Sequence, residues 1–298
     1  MDVETLYREY KGVLFSVAYR MLGTAADAED IVQDLFAALP EKLDELRVTS
    51  WKSYLVKAVT NRCLNVLQSA RKQREVYTGP WLPEPVLSDS AALPEDAALL
   101  REDVSYAFLV MLEQLTPAER AVFVLREAFY YDYEEIAEVL DKSEVSCRKL
   151  YSRARQKLPQ RGMDRTAAKQ TSGRLAELFM EAVRTGRFDS LVGVLAEEAR
   201  LVSDGGGKTR AALVPIVGRD RIVAFFQGIY GKGSLQGDIR QTTANGQKAI
   251  LLLTEGRLKF IFLFDLDPDG RLEQIFLISN PDKLSRFWSQ ISEANCLS

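Results

Sequence analysis

The chain has 298 residues, enough for two or three domains, and its 47% apolar and 27% charged fractions are those of a soluble globular protein. It contains no histidine, which excludes Ser-His-Asp and Cys-His triads and any His-containing zinc site, so the prior for an enzyme falls. The net charge of -3 has to be resolved along the chain, because local charge decides where phosphates bind.

Residues 1–75 read as helices throughout. The start, Met1-Asp2-Val3-Glu4, lacks the layout of a signal peptide. Ile31, Val32, Leu35, Phe36 and Leu39 mark one amphipathic helix, with acids in its early turns. Trp51, Tyr54, Leu55, Ala58, Val59, Cys63, Val66 and Leu67 recur at spacings of three and four and predict another, with Trp51 and Tyr54 on its core side. Thr24 to Glu45 is acidic, whereas Lys52 to Glu75 carries Lys52, Lys57, Arg62, Arg71, Lys72 and Arg74 against the single acid Glu75.

From Tyr77 the pattern breaks. Pro80, Pro83, Pro85 and Pro94, with many acids, predict an extended linker over 77–105. Helical periodicity resumes near Tyr106 and defines a domain over 106–161. Within it, Tyr133 to Leu140, the turn Asp141-Lys142-Ser143, and the basic stretch Glu144 to Lys157 form two helices joined by a short turn. Ile136, Ala137, Leu140, Cys147, Leu150 and Tyr151 suit a shared core, leaving Glu144, Ser146, Arg148, Lys149 and Ser152 nearer the outer face. A helix-turn-helix needs this division, since its second helix packs inward while offering polar groups to the major groove. The plainer alternative is a helical hairpin with a solvated basic face.

After a second linker at 162–172 the segment 173–298 changes character. Leu175, Leu178, Phe179, Ala182 and Val183 predict one helix, and Ala249 to Leu253, Leu258 to Leu266 and Arg271 to Ser279 predict antiparallel strands. This is a separate α+β domain.

Several segments carry a specific resemblance. Leu115 to Phe123 with Leu150 to Arg155 resembles region 4 of extracytoplasmic-function sigma factors, Ala28 to Phe36 resembles their region 2.2, and Trp51 to Arg74 resembles regions 2.3 and 2.4. Gly79 to Pro85, Asp204 to Lys208 and Asn280 to Leu284 are similar to hallmarks of a subgroup with a fused C-terminal SnoaL-like domain. The resemblance implies a multi-domain fold: two all-α sigma domains (1–76 and 106–161), then an α+β SnoaL-like cone.

It also implies roles. Glu29, Asp30, Gln33 and Asp34 would face the clamp helices of the polymerase β′ subunit, and region 4 the β flap. Asn61 would read a flipped-out base of the -10 element, with Arg62, Arg71, Lys72 and Arg74 on phosphates. Glu144, Ser146, Arg148, Lys149, Ser152 and Arg153 would read the -35 element. The linker would thread the polymerase cleft or act as a plain tether. The cytoplasm is the expected compartment, and no membrane, metal, cofactor or catalytic residue is expected. A small-molecule ligand in the C-terminal domain stays open.

The C-terminal domain would regulate the sigma regions in cis through Asp204, Gly205, Gly206, Gly207 and Lys208 together with Asn280, Pro281, Asp282, Lys283 and Leu284. Asp204 and Lys208 would pair across that interface, and the glycines would allow close backbone approach. The rivals are a DNA-binding regulator that does not join the polymerase, and an enzyme with its site in the cone.

Overall fold

In a computed structural model the described residues are 2–39, 48–74, 77–88, 105–158 and 168–296. They form two compact units. The first draws on 2–39, 48–74 and 108–158, and the second on 77–88, 105–107 and 168–296.

The first unit is helical: α1 (Val3–Leu22), α2 (Ala25–Ala37), α3 (Trp51–Arg74), α4 (Tyr106–Leu112, whose first two residues belong to the second unit), α5 (Pro117–Phe129), α6 (Tyr133–Leu140) and α7 (Glu144–Lys157). Local chemistry sets several ends. Asp2 accepts from the Thr5 amide, and Gly23 closes α1 in the left-handed region. Thr116 with Glu119, and Asp132 with Glu135, form reciprocal capping boxes on α5 and α6.

The core of this unit runs through Leu14, Met21, Leu35, Leu55, Val59, Cys63 and Phe123, all almost fully buried. Trp51 and Tyr54, expected inward, are only half-buried and meet edge-to-face at 6.0 Å. The two helical segments read as separate domains form one body here, with α1 and α3 packing on α5 and α6. Arg120 is 2% exposed. Its guanidinium donates to the Met21 carbonyl (2.7 Å) and the Leu112 carbonyl (2.9 Å) and pairs with Glu113 (2.7 Å). Met21 O lies in the last turn of α1, where carbonyls lack intrahelical partners, so a buried arginine satisfies it.

The second unit comprises α8 (Ala168–Thr185), a short 3-10 turn, β1 (Leu195–Asp204), β2 (Ile216–Val217), α9 (Arg219–Gly231), β3 (Asp238–Ala244), β4 (Gln247–Thr254), β5 (Arg257–Leu266), β6 (Leu272–Ile278) and α10 (Pro281–Cys296). The six-stranded sheet has the order β2-β1-β6-β5-β4-β3. All neighbours are antiparallel except β1 and β6, which run parallel, so the sheet is mixed rather than wholly antiparallel. Ala168 to Ser172, assigned to a linker from the sequence, already belong to α8.

One face of this sheet packs Ile250, Leu252, Phe262, Phe264, Ile275 and Leu277 against α8 and α9, where Phe179 and Phe226 sit at the centre. On the other face Phe276, Ile278, Ile261 and Leu263 are also buried. Tyr106 and α10 supply cover there: Tyr106 meets Phe276 edge-on at 5.2 Å, and α10 packs on β5. Burial on both faces explains why β4 reads as an unbroken apolar run from Ala249 to Leu253. The acidic linker is therefore not loose over its first part. Leu82, Val86 and Leu87 are buried, the Ser88 amide donates to the Thr243 carbonyl (2.9 Å), and the Asn245 amide donates to the Val86 carbonyl (2.9 Å).

Candidate nucleic-acid interface and linker clasp

Helices α6 and α7 are joined by Asp141 in the left-handed region, with the Lys142 amide donating to the Ala137 carbonyl at 3.0 Å. Ser143 caps α7 by accepting from the Ser146 amide. Ile136, Leu140 and Cys147 are buried as the inner face requires, joined by Val139 and Ala154, while Ala137, Leu150 and Tyr151 are half-buried. Glu144, Arg148, Lys149, Ser152 and Arg153 are exposed in one row and Ser146 is half-buried. Val145, 62% exposed, stands among them and was missed by sequence reasoning, because apolar residues were assigned inward by type.

The aromatic layer beneath is ordered. The Arg148 guanidinium lies over the Tyr133 ring at 4.3 Å and pairs with Glu144 at 3.2 Å. Tyr133 meets Tyr151 edge-on, and the Tyr151 hydroxyl donates to Glu127. Burial, then that carboxylate, pushes the Tyr151 phenol up to about 12.

On α2, Glu29, Asp30, Gln33 and Asp34 share an exposed face, with Ala28, Ile31, Val32 and Leu35 buried behind them. Asn61 and Arg62 on α3 are half-buried. Lys57, one turn earlier, donates to the Glu138 carbonyl (2.7 Å) and pairs with Asp141 (2.6 Å). Arg71, Lys72 and Arg74 end α3, but their side chains lie outside the described residues.

In the second unit the three hallmark segments meet at one carboxylate. Asp204 ends β1 with no exposed surface. It accepts from the Tyr77 hydroxyl (2.6 Å), the Leu82 amide (2.9 Å), the Gly206 amide (2.9 Å) and the Lys283 ammonium (2.7 Å). Lys283, 5% exposed, also donates to the Leu82 carbonyl and lies over the Trp81 ring at 4.3 Å. Burial and then Asp204 drive the Tyr77 phenol far above its ordinary range, so it stays a donor. Asn280 donates to the Tyr77 oxygen (2.9 Å) and accepts from the Asp282 amide (3.0 Å), as an N-cap of α10 does. A Cβ on Gly206, at φ +63°, would collide with the Asn280 side chain.

Pro281 occupies the first position of α10, and Leu284 is buried in its first turn. Glu84, nearly buried, pairs with Arg286 at 2.7 Å, so this acid is neutralised within the unit. Asp204 and Lys208, expected to pair across an interface with the sigma regions, both pair with residues of α10. Asp204 faces inward to Lys283, and Lys208 pairs with Asp282 at 2.5 Å.

The Sigma-70 region 2 family matches residues 6–73 and the Sigma-70 region 4 family matches residues 105–158. The chain is 35% identical, over 91% of its own length and 90% of the relative's, to the ECF RNA polymerase sigma factor SigJ of Mycobacterium tuberculosis. This chain is an ECF RNA polymerase sigma factor.

The crystal structure of M. tuberculosis SigJ is similar to this sigma factor with a TM-score of 0.75 at 31% identity, covering 95% of this chain and 98% of that one. The probable ECF sigma factor SigI of M. tuberculosis is 32% identical over 65% of the chain and 67% of its own length. As a sigma factor the chain acts in promoter-specific transcription initiation with RNA polymerase and is not an enzyme. Among the described residues, no helix is long and apolar enough to cross a membrane and no cluster of His, Cys, Asp and Glu could hold a metal ion.

Proposed function

We propose that α7 reads the -35 element with Glu144, Ser146, Arg148, Lys149, Ser152 and Arg153, joined by Val145, whose exposed side chain suits a thymine methyl. The observation that carries this reading is the row of exposed polar side chains on α7 above a buried Cys147 and Ala154. Asn61 and Arg62 engage the -10 element, with Arg71, Lys72 and Arg74 on phosphates beyond them. The acidic face of α2 docks on the β′ clamp helices and the helix-turn-helix on the β flap, in the cytoplasm where core polymerase works. In vitro transcription with core polymerase on fragmented genomic DNA tests this directly. Initiation no more selective than by core alone, with full-length and truncated forms, would refute it.

The C-terminal unit regulates in cis by clasping the linker. Asp204 and Lys283 grip both the amide and the carbonyl of Leu82, which supports a docking role for these residues. A chain held there is not available to thread the polymerase cleft, so undocking of 77–88 accompanies engagement. The phenylalanine-filled core between the sheet, α8 and α9 favours a docking module over a ligand chamber. Truncation after Leu277, which deletes Lys283, is expected to raise promoter-directed activity. Activity equal to that of the full-length chain would leave the unit a passenger.

A further inference from the structure

The -35 reading leaves open which side chain in the exposed row carries base preference and what aims it. Arginine recognises a guanine by presenting two donors to O6 and N7, and that requires a fixed plane at a fixed height above the helix. A lone arginine on an exposed helix face is a poor reader before contact, because its long stem samples many rotamers that binding must freeze. Arg148 is 59% exposed as a side chain, yet held from two directions. Its guanidinium lies 4.3 Å from the centroid of Tyr133, within the range of a cation–π contact, and Glu144 takes one of its edge nitrogens at 3.2 Å.

Tyr133 is itself braced. Arg126 lies over the same ring at 4.9 Å, and its guanidinium is anchored on the Tyr131 carbonyl at 2.7 Å. The ring of Tyr151 meets Tyr133 edge-on at 6.1 Å. Tyr133 is the first residue of α6, directly after the Asp132 cap, so its backbone position is set by a capping box. The support runs from a capped helix start, through an aromatic ring, to the exposed arginine of the next helix. Among the described residues, Lys149 and Arg153 have no comparable brace.

From this geometry we infer that Tyr133 is a positioning residue for promoter recognition: its ring holds Arg148 as a preformed guanine reader, so Tyr133 sets base preference at one -35 position without touching DNA. The inference rests on the proposed reading of -35 by α7. It differs from a purely structural role for Tyr133, which would lower activity on every promoter alike.

The test uses the full chain with core polymerase and a promoter library randomised across the -35 element, counting transcripts by base at each position. Arg148→Ala is expected to flatten a guanine preference at one position. Tyr133→Leu and Tyr133→Met are expected to weaken the preference at that same position by roughly three- to tenfold, leaving the other positions and the salt dependence as they were. Tyr133→Phe, which retains the ring, is expected to restore most of the preference. In the Arg148→Ala background Tyr133→Met should change nothing further at that position. If Arg148→Ala flattens one position and neither Tyr133 variant moves it, or if those variants depress all promoters equally, the positioning role is overturned while the readout stands. If Arg148→Ala flattens no position, the reading by α7 and this inference fall together.

Discussion

Asp204→Ala is the sharpest perturbation of the linker clasp. Asp204 has no exposed surface, and Lys283 keeps only 5% of its side chain exposed. Removing the carboxylate leaves an ammonium buried without its counter-charge, a change that costs about 3–5 kcal/mol. The Tyr77 hydroxyl and the Leu82 amide lose their acceptor at the same time. The penalty falls on the docked state of 77–88, because undocking returns these groups to water. Hydrogen exchange resolved over 77–88 in the full chain should show protection of the Leu82 amide falling roughly 10²–10⁴-fold, or vanishing. The sign of the double mutant is the stronger test. Lys283→Met added to Asp204→Ala removes the stranded charge and fills its space, so the double variant should be better protected than Asp204→Ala alone. Losses that simply add, or unchanged protection in the single variant, would refute the claim that a buried charge pair holds this segment.

Other outcomes follow from the same geometry. Lys149→Ala should weaken promoter binding, by about 1–3 kcal/mol at one position if it reads a base, or uniformly with a shallower salt slope if it holds a phosphate. Asn61→Ala should spare -35 binding and impair promoter opening, measured as permanganate-reactive open complex; full opening would remove Asn61 from the -10 site. Burial, and then the neighbouring Glu273, push the Asp265 carboxyl up to about 6. A carboxyl raised above its unfolded value contributes stability that is present below about pH 4 and lost as pH rises through 6. Asp265→Asn should therefore stabilise the C-terminal unit at pH 7 by on the order of 2 kcal/mol, and flatten its melting temperature between pH 4 and 7. Thr116→Ala, which breaks the capping box of α5, should cost about 1 kcal/mol in thermal unfolding.

Local pattern made the helices of the first unit legible. The 3.6-residue stripes of α2 and α3, the turn at Asp141 to Ser143 and the basic row on α7 are repeated short-range signals, and burial follows them at Ile31, Leu55, Ile136 and Cys147. The strands β4, β5 and β6 were readable from their apolar runs. Strands β1 and β3 were not, because Leu195–Asp204 and Asp238–Ala244 are rich in charged and polar residues and acquire strand pairing only from neighbours far along the chain. Trp51 and Tyr54 were assigned inward by hydrophobicity, yet a helix with a broad apolar stripe buries only its centre.

By itself the sequence determined which segments of the first unit are helical and which face of α7 is polar, and it read α8 from Leu175 to Val183, but it did not read α9. It marked Asp204 and Lys283 as candidate contact residues. Only the tertiary structure decided that Asp204 faces inward to Lys283 and Lys208 to Asp282, and that the Pro-rich stretch at 77–88 packs on the C-terminal unit and bridges to its sheet at Leu87 and Ala244. It also decided that Arg120 joins α5 to the end of α1. Each of these depends on residues about 80 to 200 positions apart, or on an unsatisfied carbonyl whose partner no local pattern names. A buried charge takes whichever opposite charge the fold brings to it, and sequence spacing carries no information about that distance.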